Sequence, residues 1–382
     1  MLPPPLHKHS HIFLVAPFCD QPSHPWHSPG RAHKLSQVEQ LLSSFKLKIL
    51  RLNTAPVRCL PSDYPVIQLA YSISPLVRFF EIIINTLKFL KSTPLVNTSI
   101  AIWVYNARVT ESIVAFIILL FFTQSHLYLQ IEDIPSARSY NSGVLGLFDW
   151  LFLRFLSVRA TKILAVSPSV GNFLHDVLHA KLNLISTLPP HLNPSYIELC
   201  RHRKQPFSST PISIMYAGGY GYEKGVQDLL SAFVRLPCDQ FNLKLAGPVT
   251  QEIVYQCSFY PNIEILGYLK IHSLYSHYLC SDILVSPHHI IRTDPYIFPF
   301  KLIEYASSGS LLFTTPMPGI DQLDLPDICI FKTTFELETK LRASHAIWKE
   351  NSLFLSLLSE SLRTRFSYHH VRKQLMGDLH LK

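Results

Sequence analysis

The sequence predicts an α/β protein built from two doubly wound domains, each a parallel sheet covered by helices on both faces. Strand-length apolar runs alternate with longer helical stretches, which is the pattern of a buried parallel sheet. This alternation occurs twice, and a basic, proline-bearing stretch without periodicity separates the two runs at residues 199–211. The length of 382 residues suits two such domains, and an apolar content of 48% with 16% charged residues excludes a disordered chain.

The first half of the chain carries five predicted strands and five predicted helices. The strands are the continuous apolar runs 11–16, 47–52, 99–105, 127–131 and 162–166. The helices are predicted at 31–44, 75–91, 108–122, 144–158 and 169–179. No segment reaches the roughly 18–20 unbroken apolar residues that cross a bilayer, so we predict no membrane-spanning helix. The first ten residues carry prolines where a signal peptide needs an apolar run, so no export signal is predicted.

The alternation restarts after residue 211. Strands are predicted at 212–217, 241–246, 263–266, 283–286 and 311–314. Helices are predicted at 224–235 and 299–308, and a long helical pattern covers 343–381. Because ligands of doubly wound sheets bind at the carboxyl ends of the strands, we expect a nucleotide at that edge of one domain.

The positive charge of the chain lies in its first half. Residues 1–206 contain 19 Lys and Arg against 10 Asp and Glu (+9), and the remainder contains 15 against 16 (−1). The first half is therefore expected to face an anionic partner, unless its basic surface is only solvated. Seven scattered cysteines without a C-x-x-C pair argue against a disulfide scaffold and a zinc site, and they fit a reducing compartment. We expect a cytoplasmic protein.

A glycine-rich turn follows the first strand of the second half. It contains Gly218, Gly219 and Gly221, and a helix is predicted to open near Lys224. Glycines let backbone N–H groups approach a ligand, and a helix N-terminus favours an anion such as a diphosphate. Lys224, expected in the first helical turn, adds a full positive charge. The turn is not a Walker A loop, but its G-x-G-x-x-x-G spacing leaves a dinucleotide-binding dehydrogenase as an alternative.

Residues 282–309 supply a second candidate segment. Pro299 is predicted to start a helix on which Lys301 and Glu304 lie three residues apart. A carboxylate beside a phosphate site is suited to accept hydrogen bonds from the two hydroxyls of a ribose. The alternative is that Glu304 simply pairs with Lys301.

Together these segments resemble the retaining glycosyltransferases of family 4, which have the GT-B fold. The resemblance rests on YAGGYGYEKGVQDLLSAF, NIEILGYL, LYSHYLCSDILVSPH and FPFKLIEYASSG, and it is clear over about residues 211–319. It implies two Rossmann-like domains facing a central cleft. The implied parts are an acceptor-binding domain at 1–198, a linker at 199–211, a donor-binding domain at 212–355 and a C-terminal helix at 356–382 that returns to the first domain.

The resemblance also implies residue roles on the donor side. Lys224 matches the lysine that contacts the donor phosphate, and Glu304 matches the second glutamate of an E-x7-E motif, which holds the nucleotide ribose. The segment that lines the base is Gly267, Tyr268 and Leu269. The diphosphate is expected at the glycine turn Gly218, Gly219 and Gly221 and at Pro299, Phe300 and Lys301.

Two positions depart from the family pattern. The arginine usually found five residues before the lysine is Gly219 here, and the first glutamate of E-x7-E is Tyr296. Asp294, two residues away, is the predicted substitute at the transferred sugar. Relatives with an F-P-x-K-x-x-E variant also lack that first glutamate, so the departure indicates a subtype.

The reaction implied by the resemblance requires stabilisation of a departing diphosphate. Metal-dependent transferases hold Mg²⁺ or Mn²⁺ on a D-x-D pair, which is absent from this sequence. We therefore predict an enzyme that needs no metal and no cofactor, in which Lys224, Lys301 and helix N-termini neutralise the leaving group.

The acceptor-side candidates are a glycine directly before the first predicted helix and four polar residues that follow predicted strands of the first half. They are Gly30, Asn106, Arg108, Glu132 and Asp133. Glu132 and Asp133 directly follow the strand 127–131, where either would orient or deprotonate an acceptor hydroxyl. The alternative is a helix cap or a pair on a loop surface.

The expected partners are a nucleoside-diphosphate sugar and a glycan or lipid-linked acceptor of cell-surface polysaccharide synthesis, without nucleic acid. Residues 74–91 and 145–159 mix aromatic and aliphatic side chains with Arg and Lys. They predict either core helices or peripheral contact with an anionic membrane, at the inner face of the plasma membrane. Three alternatives to a transferase stay open: a nucleotide-sugar epimerase of the same fold, an NAD-dependent dehydrogenase and a catalytically silent sugar-nucleotide-binding protein.

Overall fold

The computed structural model describes residues 11–19, 29–43, 48–56, 64–93, 100–132, 134, 144–203, 206–289, 300–317 and 319–379. Within these ranges, the side chains of residues 29–33, 144 and 145 are not described. Four positions singled out in the sequence lie outside the described residues, namely Asp133, Asp294, Tyr296 and Pro299.

The chain divides into two compact units. The first comprises residues 1–190 and 371–382, and the second comprises residues 191–370. Each contains a parallel sheet, of seven strands in the first unit and five in the second. Each sheet is covered by helices, so the predicted α/β class with two doubly wound units is confirmed.

The first unit has the strand order β3-β2-β1-β4-β5-β6-β7. Its strands are β1 (His11–Ala16), β2 (Lys48–Asn53), β3 (Val66–Gln68), β4 (Ile100–Tyr105), β5 (His126–Ile131), β6 (Lys162–Ala165) and β7 (Ile185–Thr187). Its helices are α1 (Pro29–Ser43), α2 (Pro75–Ser92), α3 (Val109–Phe121), α4 (Val144–Arg159) and α5 (Pro168–Asp176). All six residues of β4 are buried, as expected for a strand covered on both faces.

The second unit has the strand order β10-β9-β8-β11-β12. Its strands are β8 (Ile212–Ala217), β9 (Phe241–Ala246), β10 (Ile263–Gly267), β11 (Ile283–Ser286) and β12 (Leu311–Thr314). Its helices begin with α6 (Pro194–Arg201), α7 (Val226–Phe233), α8 (Gln251–Cys257) and α9 (Ile271–Leu279). They continue with α10 (Phe300–Ser307), α11 (Thr334–Arg342), α12 (Ser344–Arg365) and α13 (Tyr368–Asp378), and α13 passes into the first unit at Val371.

The division into units differs from the predicted one at the connecting segments. Residues 191–198 and 356–370 belong to the second unit, whereas residues 371–382, the end of the predicted C-terminal helix, belong to the first. Tyr196 of α6 is buried and its hydroxyl donates to the backbone oxygen of Glu304 at 2.7 Å, which ties α6 to α10. Arg203, in the predicted linker, donates to the carbonyl oxygens of Leu279, Ser281 and Ser308. The connection is therefore packed structure of the second unit.

No helix in the described ranges is both long and apolar enough to cross a bilayer. The most apolar stretch of the sequence forms α3, whose 13 residues pack a largely buried face against the first unit.

Candidate functional site

The turn after β8 differs from the prediction at Lys224. Tyr222–Lys224 form a single 3₁₀ turn, and α7 begins only at Val226. Between them, Gly225 has a φ of 66°, and a Cβ at this position would lie 1.6 Å from the carbonyl oxygen of Pro287. The prediction that Lys224 lies in the first turn of a helix is wrong, because this left-handed glycine separates it from α7.

The segment after β11 is bound to this turn. The backbone N–H of His289 donates to the Glu223 carbonyl at 3.1 Å. The His289 ring contacts the Tyr222 ring at a centroid distance of 4.4 Å, and its Nε2 lies 2.8 Å from Oδ2 of Asp228 on α7. The carboxyl ends of the two neighbouring strands β8 and β11 therefore carry one connected loop structure, at the edge where doubly wound sheets bind ligands.

Lys301, in the first turn of α10, reaches the glycine turn from the other side. Its Nζ donates to the Ala217 carbonyl at 3.3 Å and lies 4.6 Å from the centroid of the Tyr216 ring. A Cβ at Gly218 would lie only 3.2 Å from this Nζ and 2.9 Å from the Tyr216 hydroxyl. The absence of a side chain at Gly218 leaves the space that the ammonium group occupies.

The electrostatics of this edge are dominated by cations. Burial, together with the positive charge of Lys224, lowers the pKa of Lys301 to about 7. Burial also lowers the pKa of His288 well below its usual value, with Lys301 and Lys224 adding to the shift. Lys224 therefore disfavours a charge on Lys301, and both lysines disfavour a charge on His288. A bound anion would remove that penalty, because an opposite charge favours the protonated forms.

Gly219 lies beside Lys224. The Tyr216 hydroxyl donates to the Gly219 carbonyl at 2.5 Å, which fixes the backbone of the turn. A Cβ at Gly219 would be 4.0 Å from Cγ of Lys224. The position at which the family usually has an arginine is therefore next to Lys224, while the ammonium of Lys301 lies at the adjoining Gly218.

Glu304 lies on α10 in a different environment from Lys301. It is only 5% exposed, and its carboxyl is near Tyr275 of α9. Burial raises the pKa of Glu304 to about 8, and the nearby Tyr275 hydroxyl offsets part of this rise. The structure describes both Lys301 and Glu304 and shows no ion pair between them. The alternative of a simple Lys301–Glu304 pair is therefore wrong, because the two side chains have different partners.

The remaining described donor-side candidates lie at the same sheet edge or at the start of α10. Gly267 ends β10 and its carbonyl accepts from the Gly247 N–H at 2.7 Å. Tyr268, which follows it, is about half exposed, and Leu269 is partly buried. Phe300 is the first residue of α10.

On the acceptor side, Glu132 and Asn106 come together at the carboxyl edge of the first sheet. The Glu132 N–H donates to Oδ1 of Asn106 at 2.7 Å. The Glu132 carboxylate forms an ion pair with Lys34 of α1 at 2.5 Å and accepts from the Tyr105 hydroxyl at 3.1 Å and from Nε2 of Gln130 at 2.9 Å. The side chain is almost fully buried, so the first unit itself fills most of its hydrogen-bonding capacity.

Arg108 and Gly30 are not part of this network. Arg108 is the N-cap residue of α3, where its charge acts on the neighbouring Glu111 and Asp149. Gly30 is the second residue of α1. The acceptor-side candidates therefore do not form one cluster among the described residues.

Sequence reasoning missed Lys34, His288 and His289. The two histidines directly follow a correctly placed strand, so their position at the carboxyl edge was a usable signal. Lys34 carried no such sequence signal, because its partner Glu132 is nearly a hundred residues away in the sequence. No group of three or more His, Cys, Asp or Glu that could hold a metal ion occurs in the described part of the chain.

Residues 211–328, which contain the glycine turn, Lys224, Lys301 and Glu304, match the family model described as glycosyl transferases group 1. This segment is a group 1 glycosyltransferase domain. No curated protein matches the sequence.

Solved structures place the group 1 domain within a GT-B fold that extends over the whole chain. Sucrose-phosphate synthase from Thermosynechococcus elongatus superimposes with a TM-score of 0.73 at 14% identity, covering 97% of this chain and 98% of that one. HepE from Anabaena, solved in complex with UDP and glucose, superimposes with a TM-score of 0.70 at 13% identity, covering 97% of this chain and 100% of that one. WaaG, a glycosyltransferase involved in lipopolysaccharide biosynthesis, superimposes with a TM-score of 0.65 at 14% identity, covering 96% of this chain and 99% of that one. At these identities the likeness shows the fold, and the predicted GT-B fold is confirmed.

Proposed function

We propose that the protein is a retaining glycosyltransferase that moves a sugar from a nucleoside-diphosphate sugar to a glycan or lipid-linked acceptor. The observation that carries the proposal is the convergence of Lys224, Lys301 and His288 at the carboxyl ends of β8 and β11, inside a group 1 glycosyltransferase domain. Two lysines, one of which lowers the pKa of the other, and a buried neutral histidine beside a glycine turn fit a doubly charged diphosphate.

In this proposal Lys224 and Lys301 stabilise the diphosphate as it leaves. Negative charge accumulates on the departing phosphate while the sugar carbon becomes oxocarbenium-like, and fixed cations stabilise that transition state. Lys301 takes over the charge that an arginine at position 219 provides in the family, since its Nζ lies at the adjoining Gly218. The backbone N–H groups of Gly219 and Gly221 are the further donors that we propose, and no metal or cofactor is required.

Glu304 is proposed as the contact of the nucleotide ribose, and Asp294 as the contact of the transferred sugar. With a pKa of about 8, the Glu304 carboxyl is mostly protonated at pH 7 and can both donate to and accept from a ribose hydroxyl. The support for the ribose role is its place on α10, one turn beyond Lys301.

A uridine diphosphate sugar is the first donor to test, because the similar HepE structure contains UDP and glucose. A role in cell-surface polysaccharide or glycolipid synthesis in the cytoplasm is proposed from the likeness to WaaG, whose structure is described as that of an enzyme of lipopolysaccharide biosynthesis. The six described cysteines are free, which fits a reducing compartment.

The test is nucleotide binding followed by sugar release. UDP, GDP, ADP and NAD are titrated separately while thermal unfolding is followed, and one nucleoside diphosphate is expected to raise the Tm. A ligand at about 100 times its Kd stabilises the native state by about 2.7 kcal/mol. Sugars linked to that nucleotide are then incubated with the protein, and release of free nucleoside diphosphate is measured.

Each other outcome contradicts the proposal in a different way. Stabilisation by NAD alone indicates a dehydrogenase. Conversion of the sugar nucleotide to its epimer without release of nucleoside diphosphate indicates an epimerase. Binding without any turnover, tested with glycan and lipid-linked acceptors present, indicates a silent binding protein.

A further inference from the structure

The largest exposed apolar surface among the described residues lies on three neighbouring helices of the first unit. Of the 28 large hydrophobic side chains that are exposed, 12 belong to α2, α3 and α4. They are Leu76, Val77, Phe80 and Ile84 on α2, Phe116, Leu120 and Phe121 on α3, and Leu147, Phe148, Leu151, Phe155 and Val158 on α4. Scattered single exposed hydrophobic residues are normal, but a concentration of this kind marks an interaction surface.

These helices form one continuous face. They connect β3 to β4, β4 to β5 and β5 to β6, all in the same direction across the sheet, so right-handed crossovers place them on one side of it. α2 packs on α3, and α3 packs on α4. The exposed rings of Phe116 and Phe155 meet edge to face with centroids 5.6 Å apart, so the exposed apolar surface continues from α3 to α4. We call this surface the α2–α4 face.

On α2 the exposed apolar residues have helical spacing, and the stripe that they form ends in basic residues. Val77, Phe80 and Ile84 are spaced by three or four residues, and the same stripe continues to Lys88 and Lys91. A helix of 18 residues is about 27 Å long. The apolar residues therefore occupy the N-terminal part of the stripe, and the basic residues follow one turn later at its C-terminal end.

All exposed formal charges among the described side chains of the three helices are positive. They are Lys88, Lys91, Arg154 and Arg159. The guanidinium of Arg154 lies 5.5 Å from the centroid of the Trp150 ring, an arrangement suited to a membrane interface.

The carboxylates of the same helices are directed to their own unit. Oε2 of Glu81 accepts from the backbone N–H groups of Tyr71 and Ser72, both at 2.8 Å. Oδ1 of Asp149 accepts from the Val109 N–H at 2.7 Å. Glu111 is buried. The α2–α4 face thus combines exposed apolar side chains with basic charge and shows no exposed acid, which is the complement of an anionic bilayer surface.

We propose that the α2–α4 face docks on the surface of a membrane that contains anionic lipids. Phe80, Leu151 and Phe155 enter the boundary between headgroups and acyl chains, while Lys88, Lys91, Arg154 and Arg159 contact lipid phosphates. The docking is independent of catalysis, so it is measured without any sugar nucleotide. It would hold the first unit at the surface where a lipid-linked acceptor is found.

The test is flotation of the whole protein with unilamellar vesicles. One set contains phosphatidylcholine with about one-third phosphatidylglycerol, and the other contains phosphatidylcholine alone. The wild type is expected to float with the anionic vesicles at low salt and to bind the neutral ones far more weakly. Raising the salt is expected to weaken binding, because exposed charges are then screened.

Two pairs of substitutions separate charge from apolar contact. Lys88→Gln with Arg154→Gln is expected to weaken binding to the anionic vesicles about 30-fold, since each basic residue near the surface contributes about fivefold. Phe80→Ser with Leu151→Ser is expected to weaken binding about tenfold for each side chain removed. These residues are exposed, so both variants should keep the wild-type circular dichroism and Tm.

The matched controls lie on other surfaces. Lys332→Gln with Lys349→Gln removes two exposed charges of the second unit, and Phe335→Ser with Leu353→Ser removes two side chains of the same unit that are 71% and 74% exposed. Both controls are expected to float like the wild type. The proposal is overturned if the wild type does not float at low salt, or if the face variants float as well as the controls. It is equally overturned if light scattering shows a dimer that the Phe80→Ser, Leu151→Ser variant dissolves while vesicles are not bound.

Discussion

The carboxyl edges of the two sheets are built by the same topology but hold their charges in opposite ways. In the second unit, Lys224 and Lys301 are close enough for one to lower the pKa of the other, and His288 is shifted in the same direction. In the first unit, the Glu132 carboxylate has a lysine partner and two further donors from its own unit. One edge therefore keeps like charges together, and the other pairs opposite charges.

We interpret this difference as that between an edge that binds a ligand and an edge that stabilises the fold. A cluster of like charges costs folding free energy unless a ligand of opposite charge is bound, and such local conflicts concentrate at functional sites. A buried ion pair with its hydrogen bonds satisfied gives a ligand little to add. We therefore expect substitutions at the first kind of edge to change binding and turnover, and substitutions at the second kind to change the stability of the fold.

The largest effect is expected for Lys224→Ala in the second unit. Removing one charge that stabilises the leaving diphosphate should lower kcat/KM by roughly 10²–10³, by analogy with the loss of one oxyanion donor. The free energy of unfolding should change little, because the substitution relieves repulsion with Lys301. The measurement is initial rate against donor concentration, together with urea unfolding of the same preparation.

The control for this prediction is Lys349→Ala, which removes an exposed lysine of α12 in the same unit. This substitution should leave both kcat/KM and the free energy of unfolding unchanged. If Lys224→Ala turns over like the wild type on the identified donor and acceptor, Lys224 does not act on the leaving group.

Glu132→Gln in the first unit should have the reverse effect, lowering the free energy of unfolding strongly and kcat/KM only weakly. Loss of the carboxylate leaves Lys34 partly buried without its ion pair, which costs about 3 kcal/mol of unfolding free energy. Below the new Tm, kcat/KM should fall by less than about fivefold if the carboxylate is structural. Urea unfolding and donor kinetics measured side by side test both expectations.

Glu198→Gln is the matched comparison, because Glu198 pairs with Arg201 on an exposed surface of the second unit. Surface pairs contribute at most about 1 kcal/mol, so this variant should unfold nearly as the wild type does. A Glu132→Gln variant of normal stability whose turnover falls a hundredfold would show instead that this carboxylate acts on the acceptor hydroxyl.

The strands that bear the donor edge were predictable because they are buried on both faces. The predicted bounds of β8, β9, β11 and β12 agree with the structure at both ends. β8, β11 and β12 are short, largely apolar and buried runs, and β9 alternates buried apolar residues with partly buried polar ones. The missed strands of the first unit, Val66–Gln68 and Ile185–Thr187, have three residues each and lie at the sheet edges. Their residues are only partly buried, so they leave no apolar run to detect.

The site was predictable in its residues but not in its geometry. The glycine turn and Lys301 followed from sequence patterns. The different neighbours of Lys301 and Glu304, namely Tyr216 and Tyr275, lie far away in the sequence. The start of α7 after Gly225 was missed because the backbone of Pro287, which requires that glycine, comes from the next strand of the sheet. Such contacts between distant segments have no periodic signature.

The smallest expected effect is a proton taken up when the donor binds, and it tests whether the like charges of the second unit are the binding determinant. The pKa of Lys301 is about 7 in the free protein, and a bound diphosphate should raise it. The complex then holds more protons than the free protein, so affinity is greatest below pH 7 and falls by up to about tenfold per pH unit above it. Titration calorimetry near pH 7.5 in two buffers of different ionisation enthalpy measures the uptake. Lys301→Met should abolish the proton uptake, whereas Lys349→Met should not.

His288 does not account for proton uptake at this pH, because its pKa lies well below the usual value and only a much larger shift would bring it into range. If the wild type binds the donor with no proton uptake, Lys301 is already charged in the free site, and the two lysines are not in the conflict that distinguishes this edge from that of Glu132.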